Sequence, residues 1–92
     1  MESNRIIVTV VGKDKIGIIA EVAQVLSRYR ANILDISQTL LQEFFTMIMI
    51  VDLDACEIDL NELKERLDVK GKEIGVEITV QHEDVFKFMH RI

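Results

Sequence analysis

The spacing of apolar residues changes repeatedly along the chain, and the order of these changes most constrains its fold. Alternating or Ile- and Val-rich runs predict strands, whereas apolar residues three or four positions apart predict helices. The predicted elements are a strand at 5–11, a helix from 18 to about 29, strands at 33–41 and 44–52, a helix from 60 to 71 and a strand at 76–81. The order is therefore β-α-β-β-α-β.

Short polar segments set the predicted boundaries. Gly12–Gly17 is predicted to be a loop. Arg30–Asn32 is predicted to end the first helix, because asparagine tolerates the left-handed conformation common beyond a helix end. Asp59, with Glu62 three residues later, resembles a capping box at the start of the second helix, and Gly71 is predicted to end that helix.

This order predicts an α+β domain of the ferredoxin-like type, with a four-stranded antiparallel sheet and two helices on one face. The tail from 83 to 92 carries Val85, Phe88, Met89 and Ile92 at helical spacing and predicts a short C-terminal helix. We expect one domain over residues 1–92, with a core at about 5–82 and the C-terminal helix at about 83–92.

The two strands predicted to be central, strands 1 and 3, are apolar on both faces. In strand 3, Phe45, Met47, Met49 and Val51 oppose Phe44, Ile48 and Ile50, and in strand 1, Ile6, Val8 and Val10 oppose Ile7 and Val11. Large exposed apolar patches are unusual in soluble monomers, so the face without helices needs a cover. We expect the C-terminal helix and a second copy of the chain to supply it, which predicts a homodimer.

Composition excludes several classes of function. The 92 residues carry a net charge of −5 without a basic stripe, which argues against a nucleic-acid partner. The longest mostly apolar run, Phe44–Val51, is too short to cross a membrane. The start MESNR lacks a secretion signal, and the lone Cys56 has no intrachain partner for a disulfide. These features predict a cytoplasmic protein.

The segment GKDKIGII at 12–19 begins like a phosphate-binding loop between a strand and a helix. The lysine and the hydroxyl that bind phosphate and magnesium are replaced by Ile18 and Ile19, which excludes that chemistry. Backbone N–H groups at the helix start suit a small anion, and Asp14 could accept an ammonium group. The segment therefore fits an amino-acid zwitterion. The alternative is structural: Asp14 caps the turn and Gly17 permits close packing.

No catalytic, metal or cofactor site is predicted. His82 and His90 do not match a metal-ligand spacing. Cys56 lies between the acidic Asp54 and Glu57, so it lacks the electropositive environment of a nucleophile. The sequence shows no combination of nucleophile, base and orienting group.

The segment GKDKIGIIAEVAQVLSRYRANILDISQT resembles the opening of ACT domains, the small-molecule-sensing modules of amino-acid metabolism. The pattern covers Val10 to about Thr39, and the element order agrees over nearly the whole chain. VVGKDKIGI, DISQT and FFTMIMIVD resemble more narrowly the stand-alone single ACT-domain proteins, which are similar to the ACT modules of the glycine-cleavage-system repressor. One departure is Ile16, where many amino-acid-binding members have proline.

The resemblance implies a non-enzymatic regulatory module with a ligand at a subunit interface. Carried over from the family, the ligand-binding positions are Gly12, Asp14, Gly17, Ile18 and Asn32. Three hypotheses follow: a homodimer that binds an amino acid or similar metabolite and signals to a protein partner, a ligand-free protein–protein assembly module, and, least supported, a small enzyme.

Overall fold

The computed structural model describes residues 4–13 and 17–89. Its elements are β1 (Arg5–Lys13), α1 (Ile18–Arg28), β2 (Asn32–Leu41), β3 (Phe44–Asp52), α2 (Leu60–Ile74), β4 (Glu77–His82) and α3 (Glu83–Met89). The four strands form one antiparallel sheet in the order β2-β3-β1-β4. The predicted ferredoxin-like order is therefore confirmed, with β1 and β3 at the centre. The predicted tail helix is described as far as Met89.

The core lies between the two long helices and one face of the sheet. Across β1 and β3, Val8 pairs with Met49 and Val10 with Met47, so these side chains share that face. The fully buried side chains are Ile6, Val8, Val10, Met47, Met49 and Val51 of the sheet with Val22, Leu26, Leu63 and Leu67 of the helices. The predicted division of β1 and β3 into two apolar faces is confirmed, and this face is the one that the helices cover.

Helix α2 begins as predicted and ends later than predicted. The Asp59 carboxylate accepts a hydrogen bond from the Glu62 N–H at 2.8 Å. The prediction that Gly71 ends the helix is wrong, because the left-handed residue that stops it is Gly75, with φ 76°. Gly71 is instead required for packing, because a Cβ there would lie 2.9 Å from the carbonyl oxygen of Val76.

The second face of the sheet is only partly covered. α3 contacts β1 and β4, and the Glu83 carboxylate, which is buried, forms a 2.6 Å ion pair with Arg5. Ile7, on this face, is buried as well. Toward β2 the same face leaves a patch exposed, which we call the open-face patch: Val11, Leu41, Phe44 and Ile48. The prediction that a second copy of the chain covers this face stays a prediction, and this patch is where such a cover would lie.

Candidate functional site

β2 is a long and exposed strand at one edge of the sheet. It pairs with β3 on one side, and every residue from Leu34 to Leu41 is exposed. An edge strand of this kind offers a row of backbone N–H and C=O groups to another strand. The ladder shifts register between Ile33 and Asp35, which places Leu34 in a bulge. Beyond the bulge, Ile36 pairs with Met49, so it lies on the helix-bearing face.

A first open cavity, which we call the β2-start cavity, lies where α1 leads into β2. Its volume is about 530 Å³. It is lined by Ala23, Ser27, Arg30, Ala31, Asn32, Ile33 and Ala55. A hydroxyl, a guanidinium group and an amide therefore line this cavity, and the guanidinium group is the only charged side chain among the described residues that line it.

Arg30 occupies an unusual backbone position in this cavity. The N–H of Ala31 donates to the carbonyl of Leu26 at 2.9 Å, and the N–H of Arg30 donates to that of Ser27 at 3.1 Å. These two bonds define a Schellman motif, whose left-handed residue is usually glycine. Here it is Arg30, with φ 62°. The expectation that Asn32 supplies the left-handed conformation is wrong, because Asn32 already belongs to β2.

A second cavity, which we call the β2-end cavity, lies at the other end of the strand and has a volume of about 490 Å³. It is lined by Gly17, Ile18, Ile19, Ala20, Gln38, Leu40 and Phe45. Among these described residues Gln38 contributes the only polar side chain. Leu40 is 60% exposed at the rim, whereas Ile18 and Phe45 are buried. This cavity is therefore suited to a hydrocarbon group.

Gly17 forms the start of α1 beside the β2-end cavity. It is the N-cap residue, with φ 88° and no side-chain cap, and its carbonyl accepts the N–H of Glu21 at 2.9 Å. The N–H groups of the first helical turn have no hydrogen-bond acceptor within the helix. The backbone donors that the sequence predicts at the start of this helix therefore lie next to an apolar cavity.

The predicted site residues fall into separate places. Gly17 and Ile18 line the β2-end cavity, and Asn32 lines the β2-start cavity. Gly12 is not in a loop as predicted: it lies in β1, because the ladder continues through its pairing with Phe45. A Cβ at Gly12 would lie 2.7 Å from Cγ1 of Val76, which explains the glycine structurally. Asp14 lies outside the described residues.

The sequence did not indicate Arg30, Leu40 or Phe45 as site residues. The only sequence signal for Arg30 is that a charged residue follows a predicted helix where glycine or asparagine would be usual. Leu40 and Phe45 are separated from Gly17 by more than twenty positions, and only the β2–β3 pairing, which joins these two residues, brings them to the same cavity.

Other candidates have structural roles in the described chain. Nδ1 of His82 accepts the N–H of Asp84 at 3.1 Å. Lys70 joins α1 to α2 through the Glu21 carboxylate at 3.2 Å, and this hydrogen bond raises the pKa of Lys70 above its usual value of 10.5. Residues 4–13 and 17–89 contain no cluster of three potential metal ligands. Within those ranges no helix combines the length and apolarity needed to span a membrane.

Comparisons with known proteins agree with this fold. The family model of the ACT domain matches residues 4–81. A UPF0237 protein of Methanosarcina acetivorans is 50% identical over the full length of both chains. The ACT domain protein from Streptococcus pneumoniae is 38% identical and has a TM-score of 0.81, over 94% of this chain and 97% of that one. A proposed glycine cleavage system transcriptional repressor, 20% identical, shares the fold with a TM-score of 0.71, over 84% of this chain and 44% of its own.

Proposed function

Because the chain belongs to the ACT-domain family, a family of small regulatory domains that often bind amino acids, we propose that it acts as a homodimeric sensor. In this proposal an amino acid or similar small metabolite binds between the two chains and changes how the dimer engages a protein partner. The observation that carries it is the exposed edge strand β2 with a cavity at each end. As a regulatory domain the chain is not an enzyme. We place it in the cytoplasm on the basis of its sequence composition.

The geometry of β2 supports a particular dimer. The β2 strands of two chains can pair antiparallel about a two-fold axis perpendicular to the sheet. This pairing joins the two four-stranded sheets into one sheet of eight strands. The pairing satisfies the outer backbone groups of both edges. The same axis keeps the helices of both chains on one side of the joined sheet. It also covers the exposed backbone edge of the strand from Leu34 to Leu41.

This dimer brings the two kinds of cavity together. In an antiparallel pair, the start of one strand lies beside the end of the other, so the β2-start cavity of one chain adjoins the β2-end cavity of its partner. Within one chain, Asn32 and Leu40 are about 26 Å apart at 3.3 Å per residue. An amino acid is too short to reach both cavities of a single chain. The residues predicted from the sequence, Asn32 and Gly17, would meet only across the interface.

Ligand binding would regulate by population shift. A ligand held by two chains has a higher affinity for the dimer geometry that brings both cavities together, so it favours that geometry over others. Gly12, Asp14, Gly17, Ile18 and Asn32 remain the ligand positions predicted from the sequence, and of these Gly17, Ile18 and Asn32 line the two cavities.

A second candidate function is supported by the open-face patch. Val11, Leu41, Phe44 and Ile48 form an exposed apolar area that ligand binding at β2 does not use. Such an area is typical of a protein–protein contact. In this alternative, the chain is a ligand-free assembly module that docks through its sheet.

Thermal denaturation with each common amino acid, together with the mass in solution, tests the first proposal. A ligand present at about a hundred times its Kd stabilises by roughly 2.7 kcal/mol, which is a readily measured shift in melting temperature. We expect a dimer and at least one stabilising amino acid, and Asn32→Ala and Asp14→Ala should each remove the shift while the dimer persists. A dimer that no amino acid stabilises would favour the assembly module instead.

A further inference from the structure

We propose, on the basis of the proposed dimeric site, that the ligand is an amino acid with an apolar side chain. Its carboxylate is bound by Arg30 in the β2-start cavity of one chain. Its side chain occupies the β2-end cavity of the partner chain. This assigns a class of ligand to the site and a carboxylate-binding role to Arg30, which the sequence had not indicated.

The lining of the β2-end cavity selects the side chain. Ile18, Ile19, Leu40 and Phe45 supply apolar surface, and Gln38 supplies a single polar side chain among the described lining residues. A charged or strongly polar ligand side chain would lose its hydration there without a matching partner, which is unfavourable. An apolar side chain instead gains from its burial. The cavity therefore discriminates in favour of leucine-like and aromatic side chains and against aspartate, lysine or serine.

The guanidinium group of Arg30 is suited to bind the ligand carboxylate. Within the described residues its guanidinium has no ion-pair partner, whereas Lys70, the other prominent cation beside α1, is paired with Glu21 and Glu73. A guanidinium group can bind a carboxylate through two parallel hydrogen bonds. Ser27 and Asn32 add a hydroxyl and an amide in the same cavity. The guanidinium of Arg30 is thus the group in this cavity best suited to an anionic ligand.

The backbone of Arg30 gives a second and independent argument. A left-handed residue with a Cβ is strained, and glycine would occupy the same Schellman position without that strain. The chain therefore carries an arginine at a position where glycine would be more stable. Strained residues of this kind concentrate at functional sites, because the side chain serves a purpose that stability does not.

The test uses the full chain and a panel of free L-amino acids. Leucine, isoleucine, valine, methionine and phenylalanine are compared with serine, aspartate and lysine, by thermal shift and by calorimetry. 3-Methylbutylamine, which is leucine without its carboxylate, controls for the anionic group. We expect at least one apolar amino acid to bind, with no binding of the polar ones or of the amine.

The variants Arg30→Gly, Arg30→Lys and Arg28→Ala locate the carboxylate site. Arg30→Gly should raise the melting temperature of the free protein, because it removes the strain, and yet weaken the binding of the apolar amino acid by about tenfold or more. Arg30→Lys should retain part of the affinity. Arg28→Ala removes the same charge from the same end of α1, but Arg28 does not line this cavity, so binding should be unchanged.

The outcomes separate the two proposals. Binding of a polar amino acid in preference to the apolar ones would overturn the ligand class and leave the dimeric sensor standing. An apolar ligand whose affinity is unchanged by Arg30→Gly would overturn the role of Arg30. A dimer that binds none of the common amino acids would overturn the sensor and this inference together.

Discussion

Arg30 and Leu40 line separate cavities at the two ends of the edge strand β2, Arg30 just before the strand begins and Leu40 near where it ends. Arg30 lies two residues before the start of β2 and brings a cation, whereas Leu40 near the end of β2 brings an apolar surface. Their separation, about 30 Å along an extended chain, is too great for one amino acid to contact both. In the proposed dimer, a second chain added in the antiparallel sense brings the two features together in one site.

The edge of the sheet should control dimer formation. Ile36→Lys places a charge in the middle of β2, where an approaching strand would have to bury it. We expect sedimentation velocity to show the wild type as a dimer and this variant as a monomer of 10.6 kDa. Val69→Lys changes an exposed valine of α2 in the same way and should leave the dimer intact. A dimer that survives Ile36→Lys would place the interface elsewhere.

The open-face patch should control a different contact. Phe44→Ser removes the aromatic ring from this patch, at a position that is half exposed. We expect the β2 dimer and amino-acid binding to be unaffected, while any association beyond the dimer is reduced. Size-exclusion chromatography with light scattering over a range of concentrations measures the association, and calorimetry measures the binding. If Phe44→Ser abolished the dimer itself, the dimer interface would lie on the sheet face rather than at the β2 edge. That result would favour the assembly module.

Gly71→Ala should destabilise the fold although alanine favours helices. The gain in helix propensity is about 1 kcal/mol. The new Cβ would lie 2.9 Å from the carbonyl oxygen of Val76, and the backbone must move to relieve this clash. Overpacking of this kind costs typically about 1–3 kcal/mol, so we expect a net loss of roughly 1 kcal/mol in urea denaturation. Lys72→Ala, one position along the helix and exposed, should be near neutral.

The ion pair between Arg5 and Glu83 should hold α3 on the sheet. Glu83 is buried, and its carboxylate also lies 3.5 Å from the Lys87 ammonium. Glu83→Ala removes both contacts, and we expect a loss of about 1–3 kcal/mol in the free energy of unfolding. Hydrogen exchange should increase in α3 and in β4. Asp84→Ala, which removes an exposed acid from the same helix turn, is the control and should have a much smaller effect.

The sequence predicted the element order, the central strand pair and both faces of β3, because those depend on local periodicity. The sequence-based prediction was wrong where contacts between distant parts of the chain determine the local structure. The sequence predicts a helix end at Gly71, but the helix continues to Ile74, and Gly71 is there because Val76 packs closely against it. The left-handed residue was assigned to Asn32 rather than Arg30, because the position of a helix end depends on backbone bonds that the sequence does not show.

The candidate site was partly predictable. Gly17, Ile18 and Asn32 line cavities, and their contact with a ligand stays a prediction. Their separation within one chain follows from the length of β2 in the folded sheet, and the sequence alone did not reveal it. Leu40 joined the site through its pairing with Phe45, which is a tertiary contact.

Subunit mixing tests most directly that each site is built from two chains. Arg30→Gly and Leu40→Asp each disable one half of the site, and Leu40 is exposed enough for the second variant to fold. Each variant alone should bind the amino acid that most stabilises the wild type about tenfold or more weakly than the wild type does. Refolded together, they should form heterodimers with one intact site, from Arg30 of one chain and Leu40 of the other. Calorimetry should then show one ligand bound per heterodimer at nearly wild-type affinity. If the mixture fails to bind the ligand although heterodimers form, each chain carries its own complete site, and the two-chain site is contradicted.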